Sequence, residues 1–304
     1  MPARPLVEVA GAMDLHVHAA PSYSHSRPYD DDVTARQGAD HGLAAVLLKD
    51  HTESTVTRAH LATKAVGGAV RVFGGIVLNH PVGGVNPEAA DFALTLGGKK
   101  VWMPTVDAAR HAEVFGQGGY TLKASGVGTA EPDKKSRHLL RKPPIRIVHD
   151  GKLSDDAKDV VRICKIWDAM LGASHLYNEE ILALLRFARE EKFDKVVITH
   201  ANWTVLRNVD APALKAMAQL GAWIEFCGTA MLPPHNCLTV EEELRWLDII
   251  GTQRCVLASD AGAQIYGTQP SVFRAYLQLL NNGGLPLAEI KRMAWEHPRR
   301  LLNL

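Results

Sequence analysis

Cysteine is scarce and badly spaced for cross-linking: four residues in 304, Cys164, Cys227, Cys237 and Cys255, none in a C-x-x-C arrangement. That excludes a zinc ribbon and fits reduced thiols better than a disulfide framework. An excess of one charge is also missing. Lys plus Arg number 34 against 33 Asp plus Glu, so no basic field points to nucleic acid and no acidic one to disorder, which leaves small molecules as the expected partners. No apolar stretch approaches the ~20 residues of a membrane span, and the opening "MPARPLVEVAGAM" lacks the apolar core of a signal peptide. A cytoplasmic protein without membrane contact is the expectation, with homo-oligomerisation left open. Two catalytic signatures are absent as well. No G-x-G-x-x-G follows the first apolar run and no G-x-S-x-G elbow occurs, which speaks against dinucleotide binding and against Ser-His-Asp catalysis.

What is present is alternation. Eight short apolar runs, "AMDLHVH", "LAAVLLKDH", "RVFGGIVLN", "KKVWMPT", "DAMLGASH", "KVVITHAN", "AWIEFCG" and "CVLASDAG", each end in a polar or glycine-bearing turn. Helical patterns lie between them, over 33–40, 54–66, 87–97, 178–192, 210–220, 240–250 and 270–282. Continuous apolar strands alternating with helices imply a parallel sheet covered on both faces. Eight such units in this length predict an α/β fold of the (β/α)8 TIM-barrel type, one domain over 1–304, with its site at the C-terminal strand ends. A doubly wound open sheet is the alternative fold. One segment breaks the rhythm: a Gly-, Lys-, Arg- and Pro-rich excursion over 106–168, after the fourth strand and near the mouth, carrying a hairpin that turns at Asp150-Gly151 and an amphipathic helix at "DDAKDVVRICKIW". There is no internal repeat.

The polar residues that matter sit at strand ends. His16 and His18 are two apart on the first strand and so project together. Alone, the pair reads equally well as two buried, hydrogen-bonded histidines. His175 closes "MLGASH", His200 closes "VVITH" and Asp260 sits in "VLASDAG", each the first strongly polar side chain after an apolar run. Imidazole and carboxylate together suit zinc and similar divalent ions, with Mn, Co or Fe as alternatives. The set is therefore read as a metal site rather than as packed histidines.

In order and spacing, "DLHVH", "GASH", "VVITH", "LASDAG" and the ending "HPRRLLNL" resemble the amidohydrolase superfamily of metal-dependent (β/α)8 hydrolases, over nearly the whole chain. The resemblance implies one or two divalent ions, with His16, His18, His175, His200 and Asp260 as candidate ligands. It further implies hydrolysis by a metal-bound hydroxide, with Asp260 as catalytic proton shuttle. A neutral-to-mixed mouth with several candidate Arg and Lys residues suits a small amide, lactone or ester, a carboxylate-bearing one included, better than a polymer. The sequence departs from the binuclear pattern at the fourth strand, which ends "VWMPT" without the bridging Lys or Glu found there in binuclear members. Lys49, ending the second strand in "LLKDH", is the candidate for a relocated carboxylated bridge and His51 its rival; the favoured reading has both binding substrate or orienting ligands.

Asn79, His80, Trp102 and Thr105 are candidates for the substrate pocket, set against turn and core roles. Tyr23 and His25 read as solvated loop residues, Arg27, Arg110 and Arg146 as candidate carboxylate clamps, and the "KKSR" and "LLRK" charges as surface. Cys227 reads as a buried thiol rather than a nucleophile. A metal-dependent decarboxylase or hydratase acting on a small carboxylic acid, or a non-catalytic ligand-binding barrel, are the alternatives to hydrolysis.

Overall fold

A computed structural model describes residues 4–23, 27–116, 142–203, 205, 209–233 and 235–304. The first five strands are β1 (Met13–Val17), β2 (Ala45–Leu48), β3 (Arg71–Phe73), β4 (Gly75–Val77) and β5 (Lys100–Trp102). A small antiparallel hairpin, β6 (Val148–His149) and β7 (Lys152–Leu153), stands apart, and β8 (Met170–Ala173), β9 (Val196–Ile198), β10 (Trp223–Cys227) and β11 (Cys255–Ala258) follow. All pairings other than the hairpin are parallel, running β1-β2-β3 and β4-β5-β8-β9-β10-β11.

Two joints turn these runs into a ring. β3 and β4 are one strand position interrupted only at Gly74, where a Cβ would come within 2.5 Å of the Thr55 backbone; glycine alone admits that approach. At the other joint Asp260 N–H donates to the His16 carbonyl over 2.9 Å and His18 N–H to the Ala261 carbonyl over 2.8 Å, beside a parallel bridge between Val17 and Ala261. The neighbour order thus returns to its start, which is a closed barrel of eight strand positions.

Helices cover the outside: α1 (Asp31–Asp40), α2 (Val56–Ala65), α3 (Pro87–Thr95), α4 (Ala109–Phe115), α5 (Asp155–Ile166), α6 (Asn178–Glu190), α7 (Ala211–Gln219), α8 (Val240–Ile250) and α9 (Gln269–Gly283). Their starts follow from local chemistry. Asn86, Ser154, Asp210 and Thr239 each accept a hydrogen bond from the backbone N–H three residues on, satisfying donors that a helix cannot satisfy itself. α10 (Leu287–Lys291), a π-helical turn over Arg292–Glu296 and α11 (His297–Leu302) end the chain.

Period-two alternation sorts the strand residues into two layers. Val46, Leu48, Ile76, Val101, Leu171, Ile224 and Leu257 pack outward against the helices, while Ala45, Leu47, Val77, Trp102, Met170, Val197, Trp223 and Val256 fill the barrel. Leu301 and Leu302 of α11 join that inner cluster with Met13 and Leu15, stoppering the end opposite the site. The excursion after β5 contains α4, the hairpin and α5. Asp150 (φ 49°) and Gly151 (φ 75°) make its expected turn, since a two-residue hairpin loop of this twist needs positive φ at both positions. "KKSR" and most of "LLRK" lie outside the described residues, as does His25. Among the described residues no helix is long and apolar enough to cross a membrane.

Candidate metal centre

A break in strand regularity aims the first histidine pair. Asp14 pairs with Val46 but Val17 with Leu48, so three steps on β1 answer two on β2. Before this bulge Met13 and Leu15 face the barrel interior; after it Val17 faces the helices. A bulge inverts side-chain parity, and here it brings His16 inside directly after Leu15, with His18 following. Strict alternation would have set both histidines on the face opposite Met13 and Leu15.

The other three candidates emerge where strands end. His175, His200 and Asp260 follow β8, β9 and β11 with φ of 58°, 39° and 55°. Left-handed backbone is uncommon for residues with a Cβ and costs about 1–3 kcal/mol each; Asp150, Asp168, Lys192, Asn236 and Asn303 adopt it elsewhere, and its recurrence at three strand ends turns these side chains toward one point.

Together these residues form one cluster. Asp260 Oδ1 lies 3.2 Å from His16 Nε2 and 3.2 Å from His18 Nε2. His175 Nε2 and His200 Nε2 are 3.1 Å apart, and the His16 and His200 ring centres 5.5 Å. Lys49 Nζ reaches His16 Nε2 at 3.2 Å. Burial lowers the pKa of every one of these imidazoles, His18 to about 3, so at neutral pH they offer lone pairs. Burial also brings Lys49 down to about 8 against the opposing pull of Asp260 and Glu225.

The donor set fits a divalent ion on a specific ground. His16 Nδ1 is 2.8 Å from Glu225 Oε1, and Glu225, which burial would raise, is held ionised by Lys100 at 2.8 Å and by His16. A carboxylate only accepts. His16 therefore carries its proton on Nδ1, and its Nε2 lone pair faces the Asp260 carboxylate at 3.2 Å. Two acceptors at that separation call for a cation; Lys49 Nζ, 3.2 Å from His16 Nε2, offers one to His16, whereas a divalent ion would serve both acceptors at once. Ligands about 2.1 Å from a shared ion stand roughly 3.0–3.4 Å apart in octahedral or tetrahedral geometry, which matches both Asp260 contacts. A second grouping, His16 with Glu225 and Cys227, fits less well: it would use the nitrogen already donated to Glu225, and burial pushes the Cys227 thiol far up.

The pocket over this cluster is lined by His18, Lys49, His51, His175, His200 and Asp260 with Arg27, Val106, His111, Trp203, Thr229, His235, Ala263 and Tyr266. Four residues expected in its wall are elsewhere. Trp102 is buried inside the barrel, its ring 6.4 Å from that of His16. Asn79 and Thr105 are buried and bonded to each other and to His51, the Asn79 amide to the His51 carbonyl and Thr105 Oγ1 to His51 Nδ1, both at 2.9 Å. His80 turns away to the Pro143 carbonyl at 2.9 Å. They brace the wall instead of forming it, because strand-end polar groups under a loop are satisfied by one another before they reach the cavity. Of the three candidate arginines Arg27 lines the pocket, while Arg146 pairs with Glu179 and Glu180, and Arg110 with Glu113. Tyr23 is exposed.

Sequence reading missed Glu225, Lys100, His111, Trp203 and His235. Glu225 and Lys100 carried a signal, a charge on the inward parity of an apolar run. His111 Nδ1 meets His175 Nδ1 at 2.8 Å, but it comes from α4 within the irregular excursion, where no periodicity pointed inward.

The whole-chain architecture has solved counterparts. An amidohydrolase from Pseudomonas aeruginosa superposes with a TM-score of 0.61 at 13% identity, over 97% of this chain and 96% of that one. A lactonase from Listeria monocytogenes gives 0.55 at 15% identity over 97% and 95%, and a 2,6-dihydroxybenzoate decarboxylase from Rhizobium 0.56 at 12% identity over 97% and 99%. At these identities the likeness is one of fold: the chain shares the architecture of these enzymes. No curated protein matches the sequence. A family model does, over residues 11–225, and by it the chain belongs to the family of unknown function DUF6282.

Proposed function

We propose that this protein is a metal-dependent hydrolase of small amides, lactones or esters, with zinc as the resident ion held by His16, His18 and Asp260, and His175 and His200 completing the site or holding a second ion. The observation that carries this reading is the His16 lone pair facing the Asp260 carboxylate at 3.2 Å, a geometry that wants a cation. A bound divalent ion supplies acidified water and a polarised carbonyl. The protein's own contribution is positional. Glu225 fixes the tautomer of His16, and Asp260, whose side chain is 21% exposed, would take a proton from water on one side of the substrate and return it to the leaving group. Trp102 and the buried strand ends keep bulk water from entering below.

The test is metal analysis joined to an esterase, lactonase and amidase screen. Zinc-loaded protein should hold at least one equivalent and turn over a carbonyl substrate, chelation should abolish turnover, and Asp260→Asn should lose turnover more completely than metal. Full activity without metal, or carbon dioxide release in place of hydrolysis, would overturn the reading.

A further inference from the structure

Beyond the ligand cluster, the pocket holds a histidine whose tautomer is dictated by a neighbour. Trp203, shortly after His200, lies with its ring 5.2 Å from that of His200 and 5.5 Å from that of His175. Its indole N–H donates to His235 Nδ1 over 3.2 Å. An indole nitrogen has no lone pair to accept with, so His235 Nδ1 must be the acceptor and the neutral ring carries its hydrogen on Nε2. Burial lowers the pKa of His235, which keeps the ring neutral. A metal ligand needs the opposite arrangement, a free lone pair at the nitrogen facing the ion. His235 is thus a hydrogen-bond donor on the pocket wall and not a further ligand.

Its surroundings share that character. Tyr266 stands beside it with ring centres 6.2 Å apart, and the Tyr266 hydroxyl is buried without a hydrogen-bond partner among the described residues. Arg27 lines the same pocket. Among the described residues the lining contains a single carboxylate, Asp260, which is already engaged with His16 and His18. An amine or other cationic group entering here meets, besides Asp260, only neutral acceptors and the Arg27 guanidinium, and a buried charge without a counter-charge is costly. An anionic oxygen pair finds two neutral donors and a guanidinium.

We propose that His235, oriented by Trp203, forms with Tyr266 and Arg27 a carboxylate-binding subsite beside the metal centre, so that the substrate carries a carboxylate in addition to its scissile bond. This rests on the proposed hydrolase reading only for the word substrate; the subsite itself is testable by binding.

The experiment uses full-length, zinc-loaded protein labelled with 15N-histidine, and benzoate, its neutral isostere benzamide, and phenyl phosphate as probes. Long-range proton–nitrogen spectra should show His235 with its hydrogen on Nε2, and benzoate should perturb that signal saturably while benzamide does not. His235→Gln, whose amide can donate from nearly the same point, should bind benzoate within a few-fold of the parent. His235→Ala should bind it about ten-fold or more weakly at unchanged zinc content. A hydrogen on Nδ1, equal binding of benzoate and benzamide, or undiminished binding by His235→Ala would each overturn the subsite. Ten-fold tighter binding of phenyl phosphate than benzoate would overturn its assignment to carboxylates. Since none of these readouts is turnover, a failed subsite is distinguishable from a failed hydrolase assignment.

Discussion

Glu225 Oε1 accepts from His16 Nδ1 over 2.8 Å while its other oxygen accepts from Lys100 Nζ over 2.8 Å, all three side chains fully buried. The barrel interior thus carries an ion pair whose outward end sets the tautomer of a metal-ligand candidate. Partners of this kind orient a ligating histidine and raise its basicity.

Glu225→Gln should therefore weaken metal binding. The amide can still accept from His16 but then points its NH2 at the Lys100 ammonium, or satisfies Lys100 and loses His16. A loss of about 10–100-fold in zinc affinity is expected, read by competition with a chromogenic chelator. Unchanged affinity would show that His16 needs no such partner.

Lys49 decides between one ion and two. Its Nζ, 3.2 Å from His16 Nε2, lies in the same pocket as His175 and His200. If it is carboxylated and bridges, Lys49→Ala should lose a second equivalent of metal, and bicarbonate should assist reconstitution of the parent. If it contacts substrate, stoichiometry by elemental analysis should hold while KM changes.

A pH effect on stability should come from outside the centre. Glu243 of α8 is fully buried, and burial raises its pKa to about 7 against the hydrogen bonds from Tyr276 and Asn202. A carboxyl raised in the folded state favours folding below its unfolded value, near 4.5, and that contribution is lost as pH rises through about 7. Relative to the parent, Glu243→Gln should therefore gain stability between pH 4.5 and 7 and keep a constant advantage above, at most on the order of a few kcal/mol. Urea denaturation at several pH values reads the difference; parallel profiles would refute it.

Gly172 is a packing requirement. A Cβ there would lie 2.3 Å from Trp102 Cδ1, so Gly172→Ala must displace the indole that floors the site. Overpacking of this kind costs about 1–3 kcal/mol. Pairing it with Trp102→Leu should recover part of the loss, and a denaturation midpoint unchanged in the single variant would show that the ring moves freely.

The barrel was legible because parallel strands buried on both faces read as continuous apolar runs, and all eight were found where they were expected. The inward aim of His16 and His18 was legible only as a shared face, since the bulge that turns them inside leaves no mark in composition. Asn79 and Thr105 were misplaced for a related reason: a polar residue at a strand end is easily seen, but whether it faces the cavity or a neighbour depends on loop packing. Glu225 and Lys100 were visible and passed over; each interrupts an apolar run on its inward parity, which only a buried partner can make tolerable. His111 and His235 reach the pocket from α4 and from the loop after β10, long-range placements that no local pattern encodes.

The joint between β1 and the end of β11 has a consequence in time. The Asp14 carboxylate accepts from Ser259 N–H across 245 residues of chain, and ribosomes add about 5–20 residues per second. The first strand therefore waits on the order of ten to fifty seconds for its last neighbour to be made. A centre that joins His16 to Asp260 has no existence on the nascent chain during that interval, so an ion held by those two residues would have to be acquired once the last strand is made, in competition with every other scavenger of metal in the surrounding fluid.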